Sequence, residues 1–338
     1  MIKKIFALSL AFMLASSGFA ATRLLRVTSP SSGDFLGKSN TVKFHIDNAQ
    51  YQVTVTVKAT YTGTGGGSVT VKDDFQPNGS NQIDGSINLN FSDGATQGVW
   101  KIVVTPSERD ANGVAQTYSP ASVTLTNLTV DVKAPTFYSV NPLDGTFVKG
   151  DANNKVRIVA ALNEPNLDKW KVQVGGSDFA NNEGTKSPVD VLWDIKGITK
   201  NGPQALTIKV DDKAKNSVTK TVNLTIDRTK PSSQIVSPGP NTTLPPHTDI
   251  LVSIKVTDNF SDSVDLTGID VIAQTTGGGF ITRAARKSFS SSGNSVVWSG
   301  RIRYTSKIPN QFKLVVKAVD KAGNPAVIQQ TLVKIGGR

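Results

Sequence analysis

Asp258, Asn259, Asp262 and Asp265 lie close together in one stretch of chain and form its densest group of side-chain oxygen donors. Hard divalent cations take several oxygen ligands from loops of this kind. Asp258, Asp262 and Asp265 are therefore the candidate calcium ligands, although the glycine and terminal glutamate of an EF-hand are missing. Calcium is the one cofactor the residues suggest.

Other chemistry finds few residues to carry it. The chain has no cysteine, so there is no thiolate nucleophile or thiolate metal site. Its two histidines, His45 and His247, stand far apart, the first in a strand pattern and the second after Pro245-Pro246. The glutamates are Glu108, Glu164 and Glu183, all in turn-like contexts. The aspartate pairs Asp73-Asp74 and Asp211-Asp212 sit in or beside turns, where aspartate caps the backbone. No catalytic residue is expected, and the chain reads as a non-enzyme. The glycine runs Gly63–Gly67 and Gly277–Gly279 do not lie between a strand and a helix, so they read as hairpin loops rather than phosphate cradles.

Binding has more candidates. Trp193 and Trp298 hold matching strand positions and should face a core. Trp170 stands between Lys169 and Lys171 and is the tryptophan to choose for exposed binding. The formal net charge is +11, with the excess toward the C-terminus. Residues 229–338 carry 13 basic against 6 acidic side chains, whereas residues 22–132 carry 8 against 9. Arg283, Arg286, Lys287, Arg301, Arg303, Lys313 and Lys317 are the candidate patch for an anionic partner. Alternation puts Arg301 and Arg303 opposite Trp298 and Ile302, and Lys313 and Lys317 opposite Phe312, Leu314 and Val316. Consecutive sandwich strands often belong to opposite sheets, which would divide the set. Nucleic acid is not expected, because the basic strands lack interleaved aromatics.

These residues must be held by strands. Tyr51, Val53, Val55 and Val57 alternate with polar residues, as do Leu206, Ile208 and Val210. No helix-period segment follows the first twenty residues. Those twenty read as a secretory signal: Lys3 and Lys4, an apolar run from Ile5 to Ala15, and small residues Gly18 and Ala20 before a cleavage site. No later apolar stretch is long enough for a membrane helix. An exported chain without disulfides must rely on its hydrophobic cores.

Landmarks recur at about 100 residues, the mark of tandem copies. Asp131-Val132-Lys133-Ala134-Pro135 matches Asp227-Arg228-Thr229-Lys230-Pro231. Val27-Thr28-Ser29-Pro30, Val140-Asn141-Pro142 and Val236-Ser237-Pro238 open the three copies. The turns Asp212-Lys213-Ala214-Lys215-Asn216 and Asp320-Lys321-Ala322-Gly323-Asn324 correspond, with Asp110-Ala111-Asn112-Gly113 in that place in the first copy. The expected division is a signal peptide (1–20) and three domains (21–132, 133–228 and 229–338).

The Asp-x-x-x-Pro linkers, the Asp-Asn turn at Asp258-Asn259 and the Asp-x-Ala-Gly-Asn turn at Asp320 resemble the bacterial immunoglobulin-like repeats of extracellular and surface proteins. The likeness is fullest in the third copy. Lys215 stands where that pattern has glycine, and the first copy lacks the full turn motif. The resemblance implies an all-β fold of three tandem immunoglobulin-like β-sandwiches, stacked as a rod, and an extracellular, cell-surface or periplasmic place. It implies no reaction. Two functions follow. One is an exported structural or adhesive protein contacting an anionic cell-envelope polymer or a surface protein. The other is a carbohydrate-binding accessory protein of an extracellular enzyme system, which exposed aromatics in a row on one sheet face would favour.

Overall fold

The computed structural model describes residues 21–326 and 328–336. The expected signal segment lies outside the described residues, as do Val327, Gly337 and Arg338. The described chain is all β, and no helix in it is long and apolar enough to cross a membrane. Chain contacts divide it into two compact units. One runs up to Ala134 and includes Lys213–Asn216; the other comprises Pro135–Asp212 and the chain from Ser217 onward.

The first unit contains one pair of sheets. Strands Leu24–Ser29, Ser39–Asp47 and Ile83–Asn90 form a three-stranded sheet in that order. The other sheet runs Phe35–Leu36, Val123–Val130, Gly98–Glu108, Val53–Tyr61, Ser68–Phe75. All pairings are antiparallel except that of Phe35–Leu36, which runs parallel to Val123–Val130. The opening strand thus ends at Pro30, which has no N–H for a ladder, and the chain crosses to the opposite sheet.

The second unit repeats this plan twice. Its first pair joins Val189–Asp194, Lys155–Asn163 and Thr136–Asn141. Facing strands run Thr146–Val148, Ser217–Ile226, Gly202–Asp212, Leu167–Val174, Glu183–Gly184. Its second pair joins Ser232–Ser237, Ile250–Thr257, Ser295–Ile302 and an added edge strand, Ala285–Ser292. The partner sheet runs Thr243–Leu244, Gln329–Ile335, Gln311–Lys317, Asp270–Gln274, Phe280–Arg283. Again the short second strand pairs parallel to the last. This sheet order, with an opening strand shared between sheets, is immunoglobulin-like.

Alternation puts apolar side chains between the sheets. Val53, Val55, Val57 and Ala59 are fully buried, while Thr54, Thr56 and Lys58 between them are not. Buried apolar residues form three clusters, one for each sheet pair. A tryptophan in each rests against a glycine: Trp100 on Gly67, just before the strand Ser68–Phe75, Trp170 on Gly184 of a neighbouring strand, and Trp298 on Gly300 of its own strand. A side chain at Gly184 or Gly300 would occupy the space of the indole. Trp298 and Ile302 share the inward face of their strand, as alternation requires, and Tyr304 packs against the same cluster.

Trp298→Ala should therefore lower the stability of the second unit by about 3–5 kcal/mol. Gly300→Leu should also destabilise, by displacing the same ring. Chemical denaturation of the two variants checks both; a midpoint unchanged from the parent protein would place the indole outside the core.

Candidate functional site

Three strand ends of the second unit converge on a group of acids. Asp227 directly follows Ser217–Ile226, and its N–H donates to the Val148 carbonyl (2.8 Å). Asp258 directly follows Ile250–Thr257; its N–H donates to the Asn294 carbonyl (2.9 Å), and the Asn294 amide donates back to its carbonyl (2.7 Å). Asp320 opens the turn after Gln311–Lys317, with its N–H on the Asn324 carbonyl (3.1 Å). The strands thus fix all three backbones before any side-chain contact is considered.

One carboxylate oxygen from each lies within 4.8 Å of the others. Asp227 is 0 %, Asp258 6 % and Asp320 1 % exposed. Their partners are neutral. Asp227 accepts from the Thr229 N–H (3.1 Å) and the Asn201 amide (3.4 Å). Asp258 accepts from the Ser263 hydroxyl (2.5 Å) and the Asn259 N–H (2.8 Å). Asp320 accepts from the Asn324 N–H and side-chain amide, both at 2.7 Å. That amide also donates to the Asp227 carbonyl (2.9 Å), tying the linker to the turn. Among the described residues no lysine, arginine or histidine pairs with the three acids.

Three carboxylates buried this close cannot all remain ionised without a counter-charge. Burial, with Asp258 and Asp320 beside it, pushes the Asp227 carboxyl up to about 6. The Asn259 amide lies against the same acids. With its nitrogen toward them, that amide donates to Asp227 (3.2 Å) and Asp258 (2.9 Å), two further neutral hydrogen bonds. Three carboxylates are a hard donor set, suited to calcium rather than to a soft transition metal.

The structure brings only one of the three expected calcium ligands into this group. Asp265 instead accepts from the Thr267 N–H (2.8 Å) and hydroxyl (2.7 Å), closing its own turn. Asp262 is exposed, its backbone in the left-handed region (φ 57°), and with Asp265 it borders a cleft lined also by Asn294 and Lys321. In the sequence, Asp227 and Asp320 stand out only as linker and turn landmarks. Their recurrence at matched places in the copies was the signal that sequence reasoning did not convert into a site.

The basic residues do not form one patch. Arg283, Lys313 and Lys317 belong to the five-stranded sheet of the last pair, whereas Arg286, Lys287 and Arg301 belong to the four-stranded one, with Arg303 just beyond it. Arg283 makes a bidentate pair with Asp270 (2.6 and 3.0 Å), Arg301 reaches Asp249 (3.3 Å), and Arg286 lies over the Phe289 ring. Trp170 is 7 % exposed and packs in the core, with its indole N–H donating to the Lys186 carbonyl (2.7 Å). It is not the exposed binding tryptophan it was chosen to be. Both histidines have structural partners: His45 bridges Asp84 and Asp47, and His247 stacks edge-on against Tyr304.

Another buried acid, this one with a cationic partner, lies in the first unit. Glu108 is 2 % exposed and pairs with Arg23, itself 4 % exposed, at 2.6 Å. Tyr118 donates its hydroxyl to Glu108 (2.8 Å), and the Gln50 and Tyr51 N–H groups donate at 3.0 and 2.8 Å. Burial alone would raise the Glu108 carboxyl, but Arg23, Tyr118 and the two backbone donors outweigh it and hold it below its ordinary value.

No protein-family model and no curated relative matches the chain. Solved structures similar to it include the fibronectin(III)-like modules of Clostridium thermocellum CbhA, at 11 % identity and a TM-score of 0.40 over 60 % of this chain and 93 % of that one. A Ca2+-stabilised, ice-binding adhesin of an Antarctic bacterium is 18 % identical, with a TM-score of 0.29 over 95 % and 76 %. A tetra-tandem repeat from the extending region of a large adhesion protein is 15 % identical, with a TM-score of 0.30 over 93 % and 74 %. The immunoglobulin-like assignment rests on the chain's own sheet order.

The depressed Glu108 carboxyl fixes the sign of an acid response. A carboxylate held lower in the folded state stabilises fully above its unfolded value of about 4.3, and that contribution is lost as pH falls through the folded value. The first unit should therefore lose stability between pH 5 and pH 2. Glu108→Gln should be less stable at pH 7 and show a smaller acid loss, as read by thermal unfolding across that range.

Proposed function

We propose that this is an exported, non-catalytic structural or adhesive protein whose second and third copies are joined through a bound divalent cation, calcium by the chemistry of the donors. The observation that carries this reading is the group Asp227, Asp258 and Asp320. It couples the last strand of one copy to two turns of the next, and among the described residues no cationic side chain balances it. A cation there would give an adhesive or structural chain a junction that stiffens where calcium is plentiful, as it is outside cells.

The partner on this reading is an anionic cell-envelope polymer or surface protein, met by the basic faces of the third copy. Because the cations are divided between two sheets, each face would contribute a weak, salt-sensitive contact rather than one concentrated site. The carbohydrate-binding alternative draws less support. It called for exposed aromatics in a row, yet all four tryptophans are buried, and the most exposed aromatics, Tyr138 and Phe280, lie on different sheet pairs.

Calcium at a hundredfold excess over its dissociation constant would stabilise by about 2.7 kcal/mol. The second unit of the full chain should then melt roughly 5–10 °C higher in calcium chloride than in EDTA. Asp227→Asn should abolish that rise. In EDTA the same variant should be at least as stable as the parent, because it removes a buried negative charge. Equal melting of the parent protein in calcium and EDTA would sink the cation reading.

A further inference from the structure

Structural register places the three copies on one scale. The Ser29-Pro30, Asn141-Pro142 and Ser237-Pro238 steps pair at the same point of the first sheet, with Lys43, Val159 and Ser253 opposite. Counting from them, Arg23 occupies the place of the linker prolines Pro135 and Pro231, and Asn48 the place of Glu164 and Asp258. The turns give a second anchor. Gly113 donates to the Asp110 carbonyl as Gly323 donates to that of Asp320, so Asp110 corresponds to Asp320 and Glu108 to Ala318.

The first copy therefore departs from the others at three matched positions. Where the third copy has the buried carboxylate of Asp258, it has Asn48, whose amide donates to the Thr22 carbonyl (2.8 Å). Where Ala318 fills the core, it buries Glu108. Where the linker proline enters, it buries Arg23 against that glutamate. Asp110, the counterpart of Asp320, spends its carboxylate on the Asn112 and Val114 N–H groups of its own turn, both at 2.9 Å.

We infer that the first copy is a capping repeat, closed at this end by the Arg23 guanidinium acting as a built-in counter-ion, so that it neither needs nor binds the divalent cation of the later junction. This rests on the reading of the Asp227 group as a cation site. The substitutions act together. One removes a ligand, one supplies a permanent positive charge, and one provides the acid that holds that charge in place. Tyr118 and the two backbone donors fill the remaining positions around the carboxylate, leaving no room in the ligand set for an ion. Repeat arrays commonly end in such atypical units.

The lower end of the last described strand agrees. The N–H groups of Asp131, Asp227 and Gly336 donate to Leu36, Val148 and Leu244 carbonyls, so Gly336 holds the place of the two linker aspartates. A second chain offering its third copy to a first copy would find neither Asp227 nor Asp258 in their places.

Hydrogen exchange on the full chain, read by mass spectrometry in calcium chloride and in EDTA, tests the cap. Calcium should slow exchange around 227–229, 258–263 and 320–324, and leave 22–25, 47–52 and 106–110 unchanged. Arg23→Met should speed exchange in the latter segments at least tenfold in either solution, because Glu108 is left buried and unpaired. Arg23→Met with Glu108→Gln should recover most of that protection, since it removes both charges and keeps an acceptor for Gln50 and Tyr51. Protection of 47–52 or 106–110 by calcium in the parent protein would overturn the cap, as would an Arg23→Met chain with unaltered exchange. Should calcium slow exchange nowhere, the junction reading falls alone, and the two Arg23 variants still decide whether the pair closes the first copy.

Discussion

A carboxylate withdrawn from water must be given a counter-charge or a proton, and the most unusual features of this chain are arranged around that requirement. Two of the places that bury acids, each within one unit, meet that requirement differently. At one, Arg23 meets Glu108 at 2.6 Å and the acid is held ionised. At the other, Asp227, Asp258 and Asp320 meet one another, and Asp227 is driven toward protonation. The contrast follows from the neighbours of each acid: a guanidinium beside Glu108, two further carboxylates and, among the described residues, no cationic side chain beside Asp227. The neutral donors, hydroxyls and N–H groups, are comparable at both sites.

The sheets supply what makes the acidic group costly. Side chains on strands alternate, so an acid in phase with the core is carried inward whatever its charge. Asp320 follows Phe312, Leu314, Val316 and Ala318 in that phase, and Glu108 follows Ile102, Val104 and Pro106. Packing of the apolar residues below removes water from the last position. Burial of these acids is thus a consequence of the same alternation that builds the core. That is why the charge problem recurs at the ends of the strands and not on their faces, where Arg283 and Asp270 pair in solvent at little energetic consequence.

Much of the fold was legible because it depends on local pattern. Alternation located the strands around Val53, Leu206 and Phe312, the recurring Ser-Pro and Asn-Pro steps located the copy openings, and the matched positions of Trp193 and Trp298 marked inward aromatics. The site was legible only in pieces. Asp258 was selected for its neighbours in sequence, Asp262 and Asp265, but ligand sets are assembled across the sheets. The true companions of Asp258 lie 31 residues before it and 62 after it. The basic set failed for the same reason. Arg301 and Lys313 are close along the chain, yet a crossing between sheets separates them. Trp170 misled because flanking lysines suggested exposure, whereas period-two geometry turns both lysines outward and the indole in. Glu108 and Arg23 carried no local signal at all, since their contact spans 85 residues.

The two ways of balancing charge differ in when they act. A guanidinium travels with the chain, so the first copy can close as soon as its strands assemble. A cation must arrive from solution, and it can bind well only if the oxygens already stand at the right separation. Here they do. Asp227, Asp258 and Asp320 are each anchored through the backbone, on Val148, Asn294 and Asn324, and Asn324 links the turn to the linker before any ion is present. Little side-chain freedom is left to lose, so the repulsion among the carboxylates is available as binding energy for a cation rather than being relieved by their moving apart. On this reading the junction is assembled by neutral hydrogen bonds and made rigid by the ion. The neutral bonds specify where the second and third copies meet, and the charge decides how firmly. A side-chain cation in the same place would have fixed the joint permanently; a diffusible ion there would make its stiffness a property of the surrounding solution.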